Sequence, residues 1–195
     1  MKVLNCGDES TLVECVNAAE AHLLAAALRD RVPLTLGAQT VLVRATRSET
    51  LALIAGFDPA VQVEVKARRT EHHIIKVRYD GPDLDRVAAH VGLTPAEIVD
   101  AHTSAIQTVG FAGFAPGFAY LVDGDPRLHV PRLDVPRPRV EPGSVALAGP
   151  YSGIYPRESA GGWLIIGHTD DWLWDLDRSI PARLQPGDTV EFEAI

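Results

Sequence analysis

Two short apolar runs open the chain, and a longer helical pattern follows them. Val3–Cys6 and Thr11–Val16 predict strands joined at Gly7-Asp8. Asn17 then caps a predicted helix over Ala18–Asp30, with Ala19, His22, Leu23, Ala26 and Ala27 on one face. Val32–Leu36 and Gln39–Ala45 predict a second strand pair about Gly37. Thr46 or Ser48 opens a short helix to Ala55, stopped by Gly56 and Asp58-Pro59. Strand, strand, helix, taken twice, predicts a small two-layer α+β domain over residues 1–68.

The pattern changes near Val65–Thr70. His73–Tyr79 alternates as a strand, Gly81-Pro82 makes a turn, and Asp83–His90 reads as a short helix. Thr94-Pro95-Ala96-Glu97 is a capping box with proline at the first helical position, starting a helix to about Ala105. Beyond it come short strands broken by Gly and Pro: Gln107–Phe111, Val145–Ala148, Trp163–Gly167 and Thr189–Ala194. That spacing predicts a β-barrel over residues 69–195, and the whole chain is α+β.

One segment fits neither period. Gly113-Phe114-Ala115-Pro116-Gly117-Phe118-Ala119-Tyr120-Leu121 is too apolar for a solvated loop and too rich in Gly and Pro for a regular element. It reads either as an irregular segment turning aromatic side chains and free backbone N–H groups toward a ligand, or as a buried bulge and turn at a barrel end.

Composition narrows the function classes. With 195 residues, 46% hydrophobic and 23% charged, the chain has the make-up of a soluble globule of one or two domains. It has neither a membrane-length apolar run nor a basic-then-apolar leader pattern, so the expectation is a cytoplasmic protein. Residues 1–70 balance in charge, whereas 71–195 carry the whole net charge of −8. An acidic surface disfavours nucleic acid and membranes. Within the acidic part, residues 126–157 hold five arginines against Asp134 and Glu141. Such an island suits a small anion or an acidic partner face, or else ordinary surface ion pairs. Cys6 and Cys15 fall out of register across the first strand pair, which argues against a disulfide. No CxxC, HExxH or His/Cys cluster suggests a metal.

No nucleophile or phosphate loop of known pattern is present. There is no GxSxG, and Lys2, Lys66 and Lys76, the three lysines, follow no Gly-rich loop. What remains can bind and polarise. Arg137 and Arg139 flank Pro138, so an extended backbone points both the same way, a clamp for a carboxylate or phosphate. Ser144 follows Gly143 and adds a hydroxyl. Gly161-Gly162 before Trp163 is either an anion nest beside a stacking surface or a simple turn. Tyr120 is a pocket wall or core filling. His102, alone on a mostly apolar helix, is catalytic or structural. Tyr155 and His168 complete the polar set.

The motifs also occur in a familiar order. The Phe114–Phe118 motif precedes four Pro-Arg dipeptides, at Pro126-Arg127, Pro131-Arg132, Pro136-Arg137 and Pro138-Arg139. Pro142-Gly143-Ser144, Gly153-Ile154-Tyr155-Pro156 and Ser159–Thr169 follow. From about Lys76 onward the chain resembles the allophanate hydrolase subunit 1 family, which includes the B subunit of 5-oxoprolinase and the kinase inhibitor KipI. Ala119 and Ala160 stand where that family has proline, and Glu141-Pro142 replaces its Pro-Ala. The resemblance implies a cyclophilin-like barrel. It also implies ATP-dependent opening of 5-oxoproline, shared with a larger subunit (allophanate hydrolase subunit 2, or the C subunit of 5-oxoprolinase) and a third protein. Alternatives are carboxyl transfer in a urea carboxylase and inhibition of a sensor histidine kinase. It favours a catalytic role for His102, and with the residues already read the expected catalytic groups are His102, Tyr120, Arg137 and Arg139. The expected substrate contacts are Phe114, Pro116, Gly117, Phe118, Ser144, Tyr155, Gly161, Gly162, Trp163 and His168.

Overall fold

The computed structural model describes residues 1–59 and 70–195. Two compact units are present, Met1–Thr70 and Glu71–Ile195. The expected boundary between residues 68 and 69 lies outside the described residues.

In the first unit, β1 (Lys2–Asn5), β2 (Thr11–Glu14), β3 (Leu34–Leu36) and β4 (Thr40–Val43) form an antiparallel sheet in the order β1-β2-β4-β3. Helices α1 (Ala18–Leu28) and α2 (Arg47–Ile54) complete the α+β layer pattern. Asn17 caps α1 by accepting from the Glu20 N–H, and Thr46 with Glu49 forms a capping box on α2. The face of α1 differs from expectation. It buries Ala21, Leu24, Ala25 and Leu28, while Ala19 and Ala26 are exposed. An Ala/Leu helix that is apolar almost all round gives no periodic signal, so packing against Val13, Val41 and Val43 selects the stripe. Cys6 is exposed and Cys15 buried, and both are free thiols.

The second unit is a barrel. Its sheet runs β12-β9-β10-β7-β6-β13-β5, built from β5 (His72–Val77), β6 (Gln107–Ala112), β7 (Ala119–Val122), β9 (Ser144–Ala148), β10 (Tyr151–Ile154), β12 (Leu164–His168) and β13 (Thr189–Ala194). Beyond the end of β5, Arg78 exchanges both backbone hydrogen bonds with His168 of β12, at 2.9 and 2.8 Å, and the sheet closes. A separate ribbon pairs β8 (Arg137–Val140) with β11 (Ser159–Gly161). Strand β9 is buried along its whole length because both faces are covered. Val145 and Leu147 join a core with Ile75, Val190 and Phe192 under helices α3 (Leu84–Val91) and α4 (Pro95–Thr103). Ala146 and Ala148 face the opposite way, against Phe118, Tyr155 and Trp163.

The Gly/Pro-rich segment resolves into two parts. Residues 113–118 turn, and Ala119–Val122 is a regular strand between β6 and β10. Pairing on both sides overrides the weak local propensity of a segment that follows Pro116-Gly117.

Helix α4 begins as its sequence directs. Glu97 Oε2 accepts the Thr94 N–H at 2.8 Å, and the Thr94 hydroxyl accepts the Glu97 N–H at 3.3 Å. The Thr94 backbone and hydroxyl hold the Glu97 carboxyl below its ordinary pKa. Thr94→Ala is expected to lower barrel stability by about 1 kcal/mol, measured by urea unfolding. A change below about 0.3 kcal/mol would show that the box contributes nothing there.

Candidate functional site

Strands β8, β9 and β12, with the turn at Asp80-Gly81-Pro82, enclose an open cavity of about 340 Å³. Arg137, Arg139, Ser144 and His168 all line it. The alternation of β8 puts Arg137 and Arg139 on one wall. Their environments differ. Arg137 reaches inward: Nη2 donates to Asp83 Oδ1 at 2.6 Å, and the other carboxylate oxygen accepts the Ile165 N–H at 2.7 Å. The Asp83 side chain is only 4% exposed. Arg139 lies outside, 63% exposed, between Glu141 at 2.8 Å and Glu158 at 2.9 Å. Hydrogen bonding to Glu141 raises its guanidinium pKa above the ordinary value.

The floor is fixed by backbone. Gly143 has φ +80°, and a Cβ there would collide with the Thr169 carbonyl and lie 2.8 Å from His168 Cε1. Only glycine permits that approach. Ser144 donates its hydroxyl to the Glu141 carbonyl at 2.8 Å. His168 faces Asp170 at 3.4 Å, and Asp170 also accepts from Arg78 at 2.7 Å.

The aromatic residues gather separately. Phe118 meets Phe114, Tyr120, Tyr155 and Trp163 edge-on, with ring centroids 5.1–5.4 Å apart. Tyr120 stacks on Phe111 at 4.2 Å and is partly exposed, and burial raises its pKa. Tyr155 and Trp163 are buried, so Trp163 presents no open stacking face. The Tyr155 hydroxyl fills the space beside Gly161, where a Cβ would collide with it. The Gly162 carbonyl accepts the Leu133 N–H at 2.8 Å. Val140 and Ile165 belong both to this cluster and to the cavity wall, which makes the two regions neighbours. Phe114 is 61% exposed and holds φ +65°, an uncommon conformation for a bulky side chain. Pro116 is exposed, and Gly117, at φ +81°, packs against Trp174.

His102 is in neither region. It is fully buried on α4, with Nδ1 2.7 Å from the Tyr79 hydroxyl, Nε2 3.3 Å from Ser152 Oγ and its ring 4.2 Å from Phe192. Burial drops its pKa to about 3, so the ring is neutral at physiological pH. The sequence assigns no site role to Asp83, Glu141 or Glu158, the carboxylates that engage the arginines. Asp83 is 54 residues from Arg137, and no local pattern joins them. Among the described residues no group of three or more His, Cys, Asp or Glu side chains is placed to hold a metal. No helix among them is long and apolar enough to cross a membrane.

A chain made of a small α+β unit and a barrel unit matches a known domain class. The model of the carboxyltransferase domain, subdomains C and D, covers residues 1–184, and the chain belongs to this family. Within it, the B subunit of the 5-oxoprolinase of Escherichia coli O157:H7 is 41% identical over 159 residues, or 78% of this chain and 72% of that one. The crystal structure of TTHA0988 superposes with a TM-score of 0.81 at 30% identity over 96% of this chain. This chain covers 40% of the length of that one. The K. lactis urea amidolyase has the same fold, with a TM-score of 0.73 at 21% identity, over 99% of this chain and 15% of that one.

Proposed function

We propose that this chain is the B subunit of an ATP-dependent 5-oxoprolinase, which opens 5-oxoproline to glutamate. The 41% identity to an enzyme subunit of that name carries the reading. The cavity supports it chemically. A lactam is a poor electrophile because nitrogen donates into its carbonyl, and ring opening develops negative charge on the carbonyl oxygen. Phosphorylation of that oxygen with ATP makes the carbon attackable by water. Arg137, held by Asp83, is a preorganised donor for such an oxygen. Arg139 is free to swing because its carboxylate partners are solvent-exposed.

The fit to ATP itself is poorer. Asp80 and Glu141 balance Arg137 and Arg139 in the cavity lining, so it suits a polarised carbonyl better than a polyphosphate. Catalysis by the complex therefore needs groups from other chains: a homologue of the C subunit and a third oxoprolinase subunit. Phe114, Trp174, Leu176 and Ile180 are exposed apolar side chains in this unit, and Gly117 packs on Trp174. They form the surface on which a larger subunit would dock.

The test is 5-oxoproline-dependent ATP hydrolysis by the reconstituted complex, with the chain alone inactive. Arg139→Ala is expected to slow turnover roughly 30-fold or more without shifting the melting temperature. Turnover by the isolated chain, or wild-type turnover in the Arg139 variant, would count against the reading. Carboxyl transfer to urea is a second reading, favoured by the family's description. Biotin-dependent carboxylation of urea, with no turnover of 5-oxoproline, would select it.

A further inference from the structure

A second cavity of the barrel unit is lined by basic side chains without acidic ones. It measures about 330 Å³ and is lined by Arg86, Ala89, His90, Pro131, Arg132 and Leu164. No acidic side chain is in that lining. Arg86 and His90 are four residues apart on α3 and so share a helix face. Arg132 comes from the segment before β8, its guanidinium 5.9 Å from the centre of the Trp163 ring. Among the described residues of this unit Arg86, Arg132 and Arg157 form no ion pair, whereas Arg78, Arg127, Arg137, Arg139, Arg178 and Arg183 all do, and Arg86 and Arg132 line the same cavity. In a unit that carries the chain's whole net negative charge, these two exposed arginines line one cavity with no acidic side chain, so both guanidinium groups are available to an anion.

We propose that this cavity binds a phosphate group. Two guanidinium forks match the oxygens of a tetrahedral anion, and the imidazole of His90 adds a third polar group. Leu164 is the one buried residue of the lining, and the other five are exposed, so the cavity is open to a ligand from solvent. The volume accommodates one phosphate with part of the molecule that bears it. Its source is either a nucleotide or free phosphate. The site is distinct from the Arg137–Arg139 cavity, and no lining residue is common to both.

The experiment is calorimetric titration of the full chain with inorganic phosphate, pyrophosphate and ATP, without magnesium, in moderate salt. Saturable binding is expected, weakened about tenfold or more by Arg86→Ala and by Arg132→Ala. Among the described residues the Arg86 side chain makes no ion pair that its loss would disturb, and thermal melts confirm that each variant is folded. Comparable affinity for all three probes identifies free phosphate as the source, and preference for ATP identifies a nucleotide. No saturable binding of any probe overturns the proposal. Undiminished binding in both variants does too, as does loss of binding in Arg139→Ala alone, which moves the anion to the other cavity. The titration reads no turnover, so its failure leaves the proposed reaction standing.

Discussion

Lowering the pH from 6.5 to 4.5 is expected to cost the barrel unit roughly 2–3 kcal/mol of stability through His102 alone. The native ring is neutral, with its pKa depressed by burial to about 3, against about 6.5 for an exposed histidine. Below pH 6.5 the unfolded chain therefore binds a proton that the native protein refuses. The stability held above that pH is lost at about 1.4 kcal/mol per unit as the pH falls toward 3. His102→Gln retains a polar side chain between Tyr79 and Ser152 but does not titrate. Its urea-unfolding free energy should fall less steeply between pH 6.5 and 4.5 by that increment. Equal slopes in the two proteins would show that the ring is accessible to protons in the native state.

Arg137→Ala is expected to destabilise the barrel unit by about 2–4 kcal/mol. Among the described residues the buried Asp83 carboxylate has two donors, Arg137 Nη2 and the Ile165 N–H, and the substitution removes the charged one. Arg137 itself is 28% exposed, so water replaces part of the loss and the value lies at the lower end for a broken buried pair. Asp83→Asn/Arg137→Ala should recover part of the deficit, because no uncompensated charge remains. A double-mutant cycle in urea measures this coupling. A loss below about 0.5 kcal/mol in the single variant would mean that Asp83 is solvated without its partner. The result also bears on activity, since a turnover defect at Arg137 mixes folding with chemistry. Arg139, exposed and held by exposed partners, is the cleaner probe.

Much of this architecture is legible in local sequence. Asn17, Thr46 and Thr94 mark helix starts, and all three side chains cap as their residue types demand. The alternation of Arg137, Pro138 and Arg139 places both arginines on one wall. Strands that contain glycine are harder to read. Gly153 sits inside β10 because a Cβ there would lie 2.9 Å from Phe118 and 3.0 Å from Trp163. A residue that reads as a strand breaker is thus a space for two rings. Tertiary charge pairing leaves no local trace either. Asp83 opens the segment that reads as a short helix, yet its carboxylate makes no cap and turns to Arg137. His102 illustrates the same limit, since nothing beside it in sequence announces Tyr79, Ser152 or Phe192 as its neighbours.

The closure of the barrel bears on how the protein reaches this state. Strand β5 lies parallel to β13, with His72 opposite Thr189, and the backbone just beyond it, at Arg78, pairs with His168 of β12. Its partners are therefore among the latest strands in the chain. During synthesis β5 leaves the ribosome with both edges unpaired, and it stays so until β12 and β13 follow. Such long loop closures place the barrel unit among slow folders of high contact order. The sheet of the first unit pairs strands that are close in sequence and is complete long before. The exposed polar side chains of β5, His72 and the charged Lys76, then act as gatekeepers against pairing with another nascent chain.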